Sequence, residues 1–320
     1  MANQKSEVGE LDHIDEILLD DLAIAEQVEK AKQERNAVIL AHNYQRPEIQ
    51  DIADYTGDSL GLARQASGTD ADVVVFCGVH FMAETAYILS PEKVILLPEP
   101  EAGCPLADMA TPEEVGKMHS ENPGSVVISY VNTSAAVKAE SGYCCTSSNA
   151  VQVVNAVEED TVLFVPDRNL AAYVEGQVDK RIIAWNGYCP VHEEITLEQV
   201  LEALSNHPGV EVIAHPECRP QILAMAHHIR STSGMIDAAL ASTAEEFIVC
   251  TEEGMLYPLS KAVPEKMFYP PAGEHICPNM KLITLSKVLW ALQTLEPRVT
   301  VPEEIRVRAL GAVERMLALG

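Results

Sequence analysis

One dipeptide recurs at corresponding places in three segments of this chain: Cys104-Pro105, Cys189-Pro190 and Cys277-Pro278. Each closes a stretch that opens on a lysine (Lys93, Lys180, Lys266), runs through a short apolar strand and ends in a loop carrying one thiol. Further upstream stand three more apolar strands: AVILAHNY ending at Tyr44, SVVISYVN ending at Asn132 and VEVIAHPE ending at Glu217. Counting from His42, Tyr130 and His215, a hydroxyl follows after 17 residues (Ser59, Ser147, Thr232). A second apolar run ends at or near 35 (Cys77, Val165, Cys250), and the closing thiol comes at 62, 59 and 62. Four features in register predict a threefold internal repeat, each unit about eighty residues of strand, helix, strand, helix, strand.

The elements follow the repeat. A helical, amphipathic region is expected from about Leu11 to Arg35. Strands are expected near Ala37–Ala41, Val73–Phe76 and Val94–Leu97, then near Ser125–Tyr130, Thr161–Val165 and Arg181–Trp185, then near Val210–Ala214, Glu246–Val249 and Met267–Tyr269. Continuous apolar runs of this length suit a parallel sheet covered on both faces. Helix signals fill the intervals, among them one run from Pro47 to Ala66 in which Asp58 and Ser59 are cap candidates. Two final helices, Leu282–Leu295 and Pro302–Leu319, are expected to pack back on the first unit. The predicted fold class is α/β: three pseudo-threefold-related three-layer units, each with a short parallel sheet, around a central site. The units are residues 1–108 with 281–320, residues 109–193 and residues 194–280. Ligands of such sheets bind at the carboxyl ends of the strands, where all the registered polar residues fall.

Charge narrows the partners. The 22 basic and 48 acidic residues leave a net charge of −26, which argues against nucleic acid, whose affinity rests on neutralised phosphates. The longest apolar runs are strand length, short of a membrane span. The polar start MANQKSEVGE lacks a signal-peptide core, so a cytoplasmic protein is expected. There, eight cysteines read as metal ligands, catalytic groups or buried thiols rather than disulfides.

Three thiols from separate units suit a soft metal or cluster. Structural zinc favours four ligands in paired CxxC motifs, which are absent. A [4Fe–4S] cluster with three irons held and one open would fit, the open iron acting as a Lewis acid; three buried thiols after strands is the plainer alternative. Cys77 and Cys250 share their repeat position with Val165 and read as packing thiols. Cys144-Cys145 is either redox-active or inert, and Cys218 is a neighbour of the site. His42 and His215 hold one repeat position at the ends of buried strands and are site candidates. Glu217 and Tyr44 are candidates for proton transfer, against a surface-loop role for Glu217. His192 stands beside Cys189 either as a site residue or as an ordinary loop histidine. Ser59, Ser147 and Thr232 either cap helices or help bind an anionic substrate at helix N-termini. No Walker loop or strong GxGxxG points to a nucleotide.

AHNY at Ala41–Tyr44, GDS at Gly57–Ser59, YVNTSA from Tyr130, TSSNA from Thr146, HPEC at His215–Cys218 and STSGM from Ser231, together with the three spaced cysteines, resemble quinolinate synthase over nearly the whole chain. The resemblance implies three α/β units around a [4Fe–4S] cluster ligated by Cys104, Cys189 and Cys277. It implies condensation of iminosuccinate with dihydroxyacetone phosphate to quinolinate in NAD biosynthesis, with loss of phosphate and two waters. It further implies that His42, Ser59, Tyr130, Val131, Asn132, Ser147, His215, Pro216, Glu217 and Thr232 contact substrate, with Tyr44, Glu217, His42 and His215 as catalytic candidates. A functional link to an aspartate-oxidising enzyme goes with it. Some members carry CxxCxxC around the last ligand; here those positions are Pro271 and Glu274, so a thiol switch there is not expected. Two rival readings are another open-iron hydro-lyase acting on a small anion and a non-enzymatic iron–sulfur sensor.

Overall fold

The computed structural model describes residues 20–319. The part of the N-terminal helical expectation before residue 20 lies outside them; residues 20–34 are helical. Three four-stranded sheets follow, all parallel. The first comprises β1 (Ala37–His42), β2 (Tyr55–Gly57), β3 (Val73–Cys77) and β4 (Val94–Leu96). The second comprises β5 (Val126–Tyr130), β6 (Tyr143–Cys145), β7 (Thr161–Val165) and β8 (Arg181–Ala184). The third comprises β9 (Glu211–Ala214), β10 (His228–Ile229), β11 (Glu246–Cys250) and β12 (Met267–Tyr269). Each has the same strand order, β2-β1-β3-β4 and its two counterparts. Helices cover the sheets, so the expected α/β class and its threefold repetition describe the molecule.

Each sheet has one strand more than the three expected. The additional edge strands β2, β6 and β10 are three, three and two residues long. They are too short to carry an alternation pattern, and the pairing with the neighbouring first strand is what makes them strands. The expected helical run from Pro47 is accordingly two helices, Pro47–Ile52 and Ser59–Gly68, with β2 between them.

Central strands are buried on both faces: every residue of β3 and β5 is buried. Their β-branched and aromatic residues fill the space under the helices. The lysines that open each Cys-Pro stretch have a structural task. Lys93 donates to the carbonyls of Thr69 and Ala71, Lys180 to those of Val157 and Glu159, and Lys266 to those of Ala239 and Ser242. Each ammonium thus satisfies carbonyls at or just beyond the end of the helix that leads into the neighbouring strand (Ser59–Gly68, Ala150–Ala156 and Thr232–Ala241), where the last carbonyls lack intrahelical donors and the dipole favours a cation.

The last helix, Glu303–Ala318, differs from expectation. It touches the first unit, where Arg306 donates to the Ile88 carbonyl, and packs more extensively on the second. Arg308 pairs with Glu140, Arg315 donates to the Gly142 carbonyl, and Asn149 donates to the Met316 carbonyl. Its apolar positions Ala309, Ala312, Val313 and Met316 are all buried, so the helix ties the two units together instead of covering one. No described helix is long and apolar enough to cross a membrane.

Candidate active site

The carboxyl ends of β1, β5 and β9 open into one cavity between the three units, lined by His42, Tyr130 and His215 in equivalent positions. Cys104, Cys189 and Cys277 line the same cavity. The loops that carry them explain why each cysteine precedes a proline. The Cys104 carbonyl accepts from the Asp108 N–H and the Cys189 carbonyl from the Glu193 N–H, so these two cysteines stand at the start of a helical turn; at Cys277 the turn opens one residue later, the Pro278 carbonyl accepting from the Lys281 N–H. Proline then occupies the first helical position, where a missing N–H costs nothing and φ is already helical. The freed N–H groups of the turn reach the sulfur: those of Ala107 and Leu106 at Cys104, of His192 at Cys189, and of Met280 and Asn279 at Cys277. Burial pushes all three thiols up, Cys104 to about 12, and these N–H groups work in the opposite direction. A turn of this kind stabilises a thiolate.

Acid–base groups stand beside the thiols. His42 and His215 are 6 % and 4 % exposed. Burial lowers both to about 3, so both rings are neutral at physiological pH. In each, Nδ1 accepts the backbone N–H of the residue two positions on, Tyr44 (3.1 Å) and Glu217 (3.4 Å). That places the proton of a neutral ring on Nε2. The Nε2–H of His215 then donates to Ser147 Oγ at 3.2 Å. Both rings are therefore preset as donors into the cavity.

Glu217 is buried at the centre. One carboxylate oxygen accepts from the Tyr130 hydroxyl. The other lies 2.9 Å from His192 Nδ1, a close contact without hydrogen-bond alignment. Burial pushes this carboxyl up, and the His192 and His215 imidazoles and the Tyr130 hydroxyl outweigh it, bringing it down to about 2. The phenols of Tyr130 and Tyr44 are pushed up by burial and by the Glu217 charge, and stay protonated. The Tyr44 hydroxyl lies 2.5 Å from Thr251 Oγ1, which is 2.8 Å from His192 Nε2. Exchangeable protons thus link Tyr44 through Thr251 to His192, and Tyr130 to Glu217, the two arms meeting at the 2.9 Å His192–Glu217 contact.

The registered hydroxyls open helices without capping them. Asp58 and Ser231 are the caps of helices Ser59–Gly68 and Thr232–Ala241. Ser59 and Thr232 follow at the first helical position and line the cavity. Thr232 accepts from Asn43 at 2.9 Å. Asp58 and Ser231 also hydrogen-bond each other across units at 3.2 Å, so two helix N-termini meet at this wall. Ser147 precedes the helix Ala150–Ala156.

Twelve of the fourteen expected site residues line the cavity; Val131 and Pro216 do not. Val131 turns inward and its N–H pairs with the Cys145 carbonyl, and Pro216 is buried behind the wall. Cys218 also lies outside the lining: its thiol donates to the Cys250 carbonyl within the third unit's core. The sequence undervalued His192, which is 2 % exposed and stacks on His215 at 4.7 Å. The signal was its place three residues after Cys189, one helical turn on. Thr251 carries no sequence signal beyond the repeat, and Asp58 was legible only as a helix cap and within the GDS motif. Cys189, His192 and Glu217 also bring ligand atoms within 4.8 Å of one another, close enough to share one ion.

Fold and site together define a small-molecule enzyme assembled from three α/β units, with its proton-transfer groups and three thiols in one inter-unit cavity. The profile of the quinolinate synthetase A protein family matches residues 26–318. The chain belongs to that family. It is 54 % identical over 296 residues to quinolinate synthase of Methanosarcina barkeri, covering 92 % of this chain and 97 % of that one. It is 53 % identical, with the same coverage of each chain, to the quinolinate synthases of Dehalococcoides mccartyi and Thermodesulfovibrio yellowstonii.

Proposed function

We propose that this chain is a cytoplasmic quinolinate synthase of NAD biosynthesis. It condenses iminosuccinate with dihydroxyacetone phosphate to quinolinate, releasing phosphate and two waters, with a [4Fe–4S] cluster held by Cys104, Cys189 and Cys277. The observation that carries the reading is the shared cavity. Three thiols, each at the mouth of a helical turn, face the same space as Glu217, Tyr130 and two neutral imidazoles. The donor set fits the cluster. The lining holds three cysteines, and the other five lie in the apolar cores, so Cys104, Cys189 and Cys277 would hold the cluster and leave one iron without a thiolate. Backbone N–H groups at the sulfurs suit buried thiolates. When bound, the cluster supplies a Lewis-acidic iron with an open position.

The chain's own residues do the remaining work. His42 and His215 present Nε2–H groups, and Ser59, Ser147 and Thr232 present hydroxyls, to the carboxylates and phosphate of the substrates. Neutral donors and helix ends are the means available to a chain of net charge −26. Glu217, ionised and acceptor-only, takes the proton lost on enolisation. Tyr130, already donating to Glu217, returns a proton to a departing hydroxyl, and the Thr251–His192 path resupplies it. The buried cavity keeps bulk water from the imine. Iminosuccinate comes from an aspartate-oxidising reaction, and eight free cysteines suit a reducing compartment.

Iron and acid-labile sulfide per chain, measured after anaerobic purification of the parent and Cys104→Ala, test the cofactor. About four of each are expected in the parent, with loss in the variant. Quinolinate formed from the two defined substrates then tests the reaction. Zinc without sulfide would overturn the cluster and favour a single ion at Cys189, His192 and Glu217. A loaded protein that turns over another small anion would overturn the substrates alone.

A further inference from the structure

The repeat contains a register position that substrate binding does not use. Two residues beyond the end of the third strand in each sheet stand Val79, Asp167 and Glu252, each 37 residues after its anchor. In the second and third units this residue is a buried carboxylate, 0 % and 1 % exposed. Each divides its two oxygens in the same way. Asp167 Oδ1 accepts the Leu170 N–H at 2.7 Å and caps the helix Arg168–Glu175, while Oδ2 accepts the Cys189 N–H at 3.2 Å. Glu252 Oε2 accepts the Gly254 N–H at 2.7 Å and caps the following turn, while Oε1 accepts the Cys277 N–H at 3.0 Å. The first unit has a valine, and its cysteine loop is tied without a carboxylate: the Ala102 carbonyl accepts the His80 N–H at 2.8 Å and the Gly103 carbonyl accepts from the Asn279 side chain at 2.8 Å. Lys281 then joins Glu252 at 2.9 Å and donates to the Tyr44 carbonyl, so the Cys277 loop is linked to the first unit.

Burying a carboxylate is costly unless its acceptors are filled, and a cap alone needs one oxygen, which serine supplies elsewhere in this chain at Ser134 and Ser231. The second oxygen is what distinguishes Asp167 and Glu252, and in both it goes to a cysteine of the candidate cluster site. We propose that Asp167 and Glu252 are positioning residues, each presetting one cluster thiol, Cys189 and Cys277 respectively, while Cys104 has no carboxylate in register. The inference rests on the cluster reading, since an anchor for a thiol serves a group that the thiol must meet in register. An amide cannot replace either carboxylate: it offers one acceptor where two N–H groups point, and its own N–H₂ opposes one of them.

The test is site-resolved alkylation of the full chain with iodoacetamide, read by peptide mass spectrometry, in Asp167→Asn and Glu252→Gln. Groups that orient metal ligands change site affinity by about tenfold to a hundredfold when removed. The cluster-loaded Asp167→Asn protein should therefore expose Cys189 to alkylation faster by that factor, with Cys104 and Cys277 unchanged. Glu252→Gln should do the same for Cys277 alone. Asp167→Glu and Glu252→Asp keep the charge and move the acceptors by one methylene; they should give the same pairing of site and cysteine. Equal acceleration at all three cysteines, or at none, in variants with parent-like circular dichroism overturns the proposal. If the parent holds no iron or sulfide, the cluster reading fails separately, and the same pairing measured on that metal-free protein still decides whether each carboxylate governs its own thiol.

Discussion

Replacing Glu217 by glutamine isolates charge from shape. Glu217 is 3 % exposed and meets two groups, the Tyr130 hydroxyl and His192 Nδ1. An amide keeps the shape and the Tyr130 contact, because its oxygen accepts from the phenol; its N–H₂ faces His192 Nδ1, which the neutral imidazole meets in the variant by carrying its proton on Nε2. Fold and iron content should therefore stay at the parent level. Alanine would instead strand the tyrosine hydroxyl in the interior, at about 1–3 kcal/mol for one unsatisfied group, and add the cost of a cavity. What glutamine removes is the base. A positioned general base contributes about 10²–10⁴-fold, or about 2.7–5.5 kcal/mol of barrier. Quinolinate formation per loaded chain should fall by that factor, with alanine no more active than glutamine and less stable in thermal melts. A glutamine variant with full iron and sulfide that kept more than about a tenth of the parent rate would refute the assignment of Glu217 as the base.

Other expectations concern the surroundings. His42 and His215 are held neutral down to about 3, whereas an unfolded imidazole binds a proton below about 6.5. Stability is therefore greatest above that pH and falls as pH drops through the window, by about 1.4 kcal/mol per unit for each ring; urea midpoints of the metal-free protein at pH 7 and 5 should differ accordingly, and His42→Gln should flatten the dependence. Ser59→Ala removes one hydroxyl at a helix start, and KM for dihydroxyacetone phosphate should rise about tenfold while iron content is unchanged, as expected for a lost hydrogen bond to a charged group. A Cβ at Gly187 would stand 2.4 Å from the Pro166 carbonyl oxygen, so Gly187→Ala should cost more than about 2 kcal/mol in thermal or chemical melts, since backbone on both sides must move.

Much of this molecule is written locally. The apolar runs, the lysine before the last strand of each unit and the Cys-Pro pairs repeat with the period of the fold, because each unit solves the same local problem with the same residues. His42, Tyr130 and His215 were legible for that reason: a polar residue ending a fully apolar strand stands at the sheet's carboxyl edge whatever surrounds it. The edge strands β2, β6 and β10 were not legible, since two or three residues become a strand only when a neighbour supplies the ladder.

The sequence by itself determined that three α/β units would each deliver a polar strand end, a hydroxyl and a thiol. It also placed a proline directly after each of those thiols. Only the tertiary structure decided which groups from different units meet. Tyr130 and Glu217 belong to separate sheets, as do Tyr44 and Thr251, and nothing local couples their chemistry. The same holds for His192, whose role comes from burial against Glu217 and His215. It holds too for the last helix, whose apolar stripe could cover one unit or join two. Spacing along the chain sets which edge of a sheet a side chain occupies; the charge, proton or thiol that faces it depends on how the three units dock.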